Sequence, residues 1–147
     1  MMYVPTAERL DVKIDFKDVD TVAPFVTAFG ARHGLDRRTV QHVALAIEEL
    51  LANSVRHGHP DPAGKTAEIH LERLADRLLV VYIDEGVAFD PTRVAAQPVP
   101  RDIDEARVGG LGILLIRRTF DRFDYERQGA RNRVYLEKRL SRAPSAI

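Results

Sequence analysis

The sequence predicts an α+β fold: a two-layer α/β sandwich with a mixed, mainly antiparallel sheet. Three observations carry this. The periodic segments run strand, helix, helix, strand, strand, irregular segment, helix, strand, strand. Two consecutive strand pairs are joined by tight turns, which makes them antiparallel. The helices collect on one face of the strands, giving two layers instead of a doubly wound sheet.

The first strand is "RLDVKIDF", residues 9–16, where Leu10, Val12, Ile14 and Phe16 alternate onto one face. Asp18 or Asp20 is placed to cap a helix through "TVAPFVTAFGARHG", with Pro24 confined to its first turn or kinking it. Gly34 ends that helix. Asp36 starts a longer one that runs to about Gly58, its apolar stripe being Val40, Val43, Ala44, Ile47, Leu50, Leu51 and Val55. Gly58 suits the C-terminus, and Pro60 and Pro62 prevent continuation. "KTAEIHLERL" and "DRLLVVYIDEG" are strands that turn at Ala75 and Asp76. Residues 86–112 show no period and contain Pro91, Pro98, Pro100, Gly109 and Gly110. A segment of that kind in a compact domain is often a functional lid. "GILLIRRTF" is a short helix, "FDRFDYERQ" and "NRVYLEKRL" are closing strands around Gly129, and "SRAPSAI" is a frayed tail.

The 147 residues suit one domain spanning 1–147. Lys+Arg and Asp+Glu stand at 22 each, so the formal net charge is zero. That balance leaves no polyanion footprint, and direct nucleic-acid binding is not expected. The chain has no Cys, which excludes disulfides and thiolate metal sites. No apolar run approaches the roughly 20 residues that span a bilayer. The N-terminus lacks the apolar core of a signal peptide. A cytoplasmic protein without membrane partners is expected.

Chemistry concentrates in three places. Glu49 and Asn53 stand at i and i+4 in "IEELLANSVRHGHP", on one helix face. Glu49 has no cation at i±3 or i±4, and Asn is a poor interior helix residue. A solvated surface explains neither well. A carboxylate there can take a proton from a hydroxyl, an Asn oxygen can ligate Mg²⁺, and the small Ala46 and Ala52 leave room beside them. His57 and His59 are too few for a zinc site, and His57 is explained by the helix dipole. "IDEGVAFDP" leaves a strand with Asp84 at its end and Gly86 two residues on. This carboxylate can accept from an exocyclic amino group such as that of adenine, although an ordinary turn has the same composition. "RVGGLGILLI" sets three glycines before an apolar helix, a start suited to a phosphate. It is neither a Walker A motif nor a dinucleotide fingerprint.

Together and in this order, "EELLANSVRHG", "DEGVAFDP" and "GGLGILLIRR" resemble the N, G1 and G2 boxes of the GHKL (Bergerat-fold) ATPase superfamily, in particular its bacterial anti-sigma-factor serine/threonine kinase branch. The resemblance implies ATP and Mg²⁺ as cofactors. It places Glu49 as the catalytic carboxylate, Asn53 as the Mg²⁺ ligand, Asp84 as the adenine-binding carboxylate with Gly86 shaping its turn, and Gly110 and Gly112 as lid glycines on the phosphates. Arg107, just upstream, is the candidate for reaching the γ-phosphate. Three departures stand out: Ala88 replaces a frequent second G1 glycine, "GARNRVYL" lacks the Thr common near the adenine, with Asn132 as its substitute, and Glu48 has no assigned role, so the choice of Glu49 as base rests on its spacing to Asn53.

The implied function is an anti-sigma regulatory factor. It phosphorylates a serine or threonine of an anti-sigma-factor antagonist, a small STAS-type protein, and sequesters a sigma factor; a homodimer is implied as well. The alternative is a non-catalytic ATP-binding module whose lid sets partner affinity. The catalytic half of a sensor histidine kinase is a third reading, disfavoured by the few residues before Arg9.

Overall fold

The computed structural model describes residues 6–58, 64–94 and 111–141. Arg107 and Gly110, together with His59, most of the expected lid and the tail, lie outside the described residues. The elements are β1 (Ala7–Lys13), α1 (Val22–His33), α2 (Arg37–Asn53), β2 (Thr66–Arg73), β3 (Arg77–Asp84), α3 (Leu111–Thr119), β4 (Arg122–Gln128) and β5 (Arg131–Arg139). The sheet order is β1-β2-β3-β5-β4. All four seams are antiparallel among the described residues, so the expected mixed component is not seen there.

Alternation sorts the strands into two faces. Ala67, Ile69 and Leu71 of β2, Leu78, Val80 and Tyr82 of β3, and Val134 and Leu136 of β5 enter one core with the helices. Phe29 of α1, Ile47 and Leu51 of α2, and Ile113 and Ile116 of α3 complete it. Among the described residues no helix packs on the other face. Its charges pair across strands instead: Arg9 with Glu68 at 2.6 Å and Arg131 with Glu68 at 2.7 Å.

The sequence has two local surprises. β1 stops at Lys13, and Phe16 lies beyond it with 57 % of its surface exposed, off the inward face expected for it. Neither Asp18 nor Asp20 caps α1; they fall in a 3₁₀ turn, Asp18–Thr21, that runs directly into it. Pro24 sits in the first turn of α1, where it costs no helical hydrogen bond. Gly34 closes α1 at φ 70°, a left-handed position that favours glycine.

α2 positions the site. Asp36 caps it, its Oδ1 accepting from the Thr39 amide at 2.7 Å. After Asn53 the chain passes into a π-helical turn, Ser54–Gly58. Such turns concentrate at functional sites. The turn is tied to the segment after β3, where the Val87 amide donates to Gly58 O at 2.6 Å. Among the described residues no helix is long and apolar enough to cross a membrane.

Candidate nucleotide site

α2 ends against the ends of β3 and β5, and the three elements enclose a small cavity. Leu50, Asn53, Ser54 and Gly58 face it from the helix side, Tyr82, Asp84, Asn132 and Val134 from the sheet, and Val87, Phe89 and Pro91 from the connecting segment. Its volume is about 20 Å³, room for one water. A purine enters only if the 87–91 wall moves outward.

Asp84 lies at the polar centre and is 5 % exposed. Its Oδ1 accepts from Asn132 Nδ2 at 2.7 Å and from the Gly86 amide at 3.2 Å. Its Oδ2 accepts from Ser54 Oγ at 2.5 Å, and the Tyr82 hydroxyl stands 2.7 Å from Ser54 Oγ. Burial pushes the Tyr82 hydroxyl far above its ordinary value, so it stays a neutral donor. Tyr82, Ser54 and Asp84 thus form a chain of donors ending on a carboxylate. Ser54 and Tyr82 were missed by sequence reasoning. The available signal was period two, which puts Tyr82 and Asp84 on one strand face.

Asn53 is 7 % exposed, and its Nδ2 has no hydrogen-bond partner among the described residues. A buried, unsatisfied carboxamide is costly and fits a role toward something bound. Among the described residues no group of three His, Cys, Asp or Glu side chains is placed to hold a metal. Mg²⁺ keeps several waters and takes few protein oxygens, so the Asn53 Oδ1 could be one of few protein ligands.

Glu49 lies elsewhere. With Leu45, Glu48, Ala52 and Arg56 it lines a second hollow, of about 760 Å³, closed on the other side by Phe16, Leu114, Leu115 and Arg118. Glu49 and Asn53 are one turn apart, yet the border between the two hollows falls between them. Gly112 belongs to the Glu49 side: it is the second residue of α3, packed on the Glu49 side chain. Ala46, expected to leave room beside Glu49, is fully buried in the core, whereas Ala52 does border the hollow. In that hollow burial raises the Glu48 carboxyl above its ordinary value, and burial lowers His42 below its own. His57 does more than face the helix end, since its ring stacks on Phe89 with centroids 5.0 Å apart.

The structure therefore brings Asn53, Asp84, Gly86 and Asn132 together, and sets Glu49 with Gly112 in an adjoining hollow.

Comparison with known proteins supplies the context. The chain is similar to the serine/threonine-protein kinase BtrW of Bordetella bronchiseptica, at 35 % identity over 100 residues that cover 64 % of this chain and 66 % of that protein. It is similar to the serine-protein kinase RsbW of Listeria innocua, at 27 % identity over 100 residues covering 65 % of this chain and 64 % of that protein. It spans less than two thirds of the length of either relative. Among solved structures, a Mycobacterium tuberculosis chain with RsbU and RsbW domains shares the fold at TM-score 0.60 and 17 % identity, over 93 % of this chain and 33 % of that one. A chain of the SiaB-SiaC complex from Pseudomonas aeruginosa does so at TM-score 0.57 and 13 % identity, over 90 % of this chain and 89 % of that one. The family described as histidine kinase-like ATPase domain matches residues 12–138, most of the chain. With that match, the helix-capped antiparallel sheet and its polar cavity have a family: the chain belongs to the histidine kinase-like ATPase domains.

Proposed function

We propose that this chain is a single-domain, ATP-dependent protein serine/threonine kinase that acts in the cytoplasm by partner switching. It phosphorylates a small STAS-type antagonist and, as a homodimer, sequesters a sigma factor when that antagonist is phosphorylated. The observation that carries the reading is the convergence of Asn53 and Asp84 on one cavity, with Glu49 a helical turn earlier on α2. Support also comes from relatives that are themselves named serine kinases.

In this reading the adenine amino group donates to Asp84, and the triphosphate runs along α2 toward Asn53. The Asn53 Oδ1 would hold Mg²⁺, and its unsatisfied Nδ2 would be free to donate to a bound group. That ion, when bound, neutralises phosphate charge. The seryl or threonyl hydroxyl of the antagonist reaches Glu49 from the larger hollow. Its oxygen forms a bond to the γ-phosphorus as the bond from that phosphorus to the β–γ bridging oxygen breaks. ADP leaves with that oxygen, and the hydroxyl proton passes to the Glu49 carboxylate. Positioning supplies most of the acceleration in such a transfer. Arg107 and Gly110 are assigned to the phosphates by the resemblance alone.

A non-catalytic module remains the second reading, favoured by one observation. Gly112 sits directly on the stem of Glu49, so α3 covers the base in this state. Incubation with labelled ATP and a STAS-type antagonist separates the two. Label on a serine or threonine with the wild type and none with Glu49→Ala supports the kinase. Tight ATP binding with no label from either protein supports the module and overturns the kinase.

A further inference from the structure

Asn132 is the most heavily bonded side chain of the site, and every one of its bonds is made to the protein. Its two Nδ2 hydrogens are used on Asp84 Oδ1 at 2.7 Å and Val87 O at 3.0 Å. Its Oδ1 accepts from the Tyr125 hydroxyl at 2.5 Å, from Arg127 Nη1 at 3.1 Å and from the Phe89 amide at 3.4 Å. Three donors surround the oxygen and the acceptors surround the nitrogen, so the amide has one permitted orientation. Flipping it would set its NH₂ against a guanidinium and its oxygen against a carboxylate. Arg127 is itself anchored, since the same Nη1 donates to Gly86 O at 2.7 Å.

The amide is also placed by topology. Asp84 and Asn132 face each other directly across the β3–β5 seam, and Arg127 faces Asn132 across the β4–β5 seam. Three adjacent strands therefore hold one carboxylate. A carboxylate offers about four acceptor directions. Asn132, Gly86 and Ser54 fill three of them. The one left open can only receive a further donor.

We infer that Asn132 is a positioning residue rather than a nucleotide contact: held by Tyr125 and Arg127, it fixes the Asp84 carboxylate so that the site accepts a 6-amino purine and rejects a 6-oxo purine. This rests on the reading of the cavity as a nucleotide site. A 6-amino group fits the remaining acceptor direction. A 6-oxo group presents lone pairs to lone pairs and leaves a buried polar group unpaired, the situation in which discrimination is largest. Through Val87 O and the Phe89 amide, Asn132 also ties the carboxylate to the wall that must move for entry.

The test compares binding of ATP and inosine triphosphate, which differ in the 6-substituent and the N1 proton that accompanies it, by titration calorimetry on the full chain. Wild type is expected to prefer ATP. In Asn132→Ala, ATP affinity falls about tenfold, the size of one lost hydrogen bond to a charge, while inosine triphosphate affinity changes less than about twofold, so the preference collapses. Tyr125→Phe, which keeps the ring, loses part of the preference. Arg127→Lys, which keeps a cationic donor, retains more of it than Arg127→Leu. Equal losses for both nucleotides would mean that Asn132 merely supports the fold, and the inference is overturned. The same holds if wild type binds both equally, or if Tyr125→Phe and Asn132→Ala leave the ratio intact. Failure of wild type to bind any purine nucleotide overturns the nucleotide reading itself.

Discussion

Gly112 of α3 lies so close to Glu49 of α2 that a methyl group added at position 112 would come within 2.4 Å of Glu49 Cγ and 2.6 Å of its Cβ. The contact runs the length of the side chain, from Cβ to the carboxyl carbon Cδ, which is also 2.6 Å away. α3 therefore reaches α2 only because residue 112 has no side chain. Gly112→Ala is expected to lower stability by about 1–3 kcal/mol, the usual cost of overpacking. The double variant Gly112→Ala/Glu49→Ala recovers only part of it, because Cγ and Cδ are gone but the Cβ of residue 49 still lies 2.6 Å away. Denaturant midpoints of the four proteins in the cycle check this.

The donor chain onto Asp84 makes a second prediction. Ser54→Ala removes the hydroxyl that donates to Asp84 Oδ2 and strands the Tyr82 hydroxyl in a buried site. Stability should fall by about 1–3 kcal/mol. Adding Tyr82→Phe should restore part of it, since the stranded group is then removed too. Thermal unfolding of the single and double variants measures the recovery.

Acid sensitivity follows from two carboxylates on the helical side. The Arg32 guanidinium, with His33 beside it, holds Glu8 below its ordinary 4.5, and the Thr39 amide holds Asp36 below its ordinary 3.8. Both folded values are depressed, so each group stabilises the fold above its unfolded value, and that stability is lost as pH falls through the folded one. The window therefore opens below about 4.5 for Glu8 and about 3.8 for Asp36. Glu8→Gln and Asp36→Asn should flatten the acid limb of stability against pH, the second while keeping a good helix cap. Urea midpoints taken from neutral pH downward decide the point.

Asn53→Ala addresses the metal. Its carboxamide is buried with Nδ2 unsatisfied among the described residues, so removal should leave stability nearly unchanged or slightly raised. Mg²⁺-dependent enhancement of ATP binding should drop by about tenfold, while metal-free ATP binding stays. Calorimetry with and without the ion reads both. A large loss of stability would mean that the amide is structural.

Much of this architecture was legible from local signals. The Asp36 cap, the α2 stripe, the end near Gly58 and both hairpins depend on residues within a few positions of one another. Asn53 stands out locally as a poor interior helix residue, and Asp84 as a carboxylate at a strand end two residues before Gly86. The misreadings were tertiary. Phe16 continues the alternation of β1 in sequence, but β1 ends at Lys13. Glu49 and Asn53 share a helical face, yet where α3 lands decides which hollow each borders. Tyr125 and Arg127 act through Asn132 on a neighbouring strand, a relation that appears only once the hairpin register is known.

The side of the sheet away from α1, α2 and α3 is a lattice of arginines and acids such as Arg9, Glu68 and Arg131. Exposed pairs of this kind are each worth about 0–1 kcal/mol, so their signs can be exchanged with little harm to the fold. The side chains of that lattice turn away from the helix-side cavity at Asp84, because alternate strand residues point to opposite sides. One half of the molecule can therefore drift toward new associates while the other keeps its chemistry, and paralogues built on this scaffold would differ first in the colour of that charged mosaic.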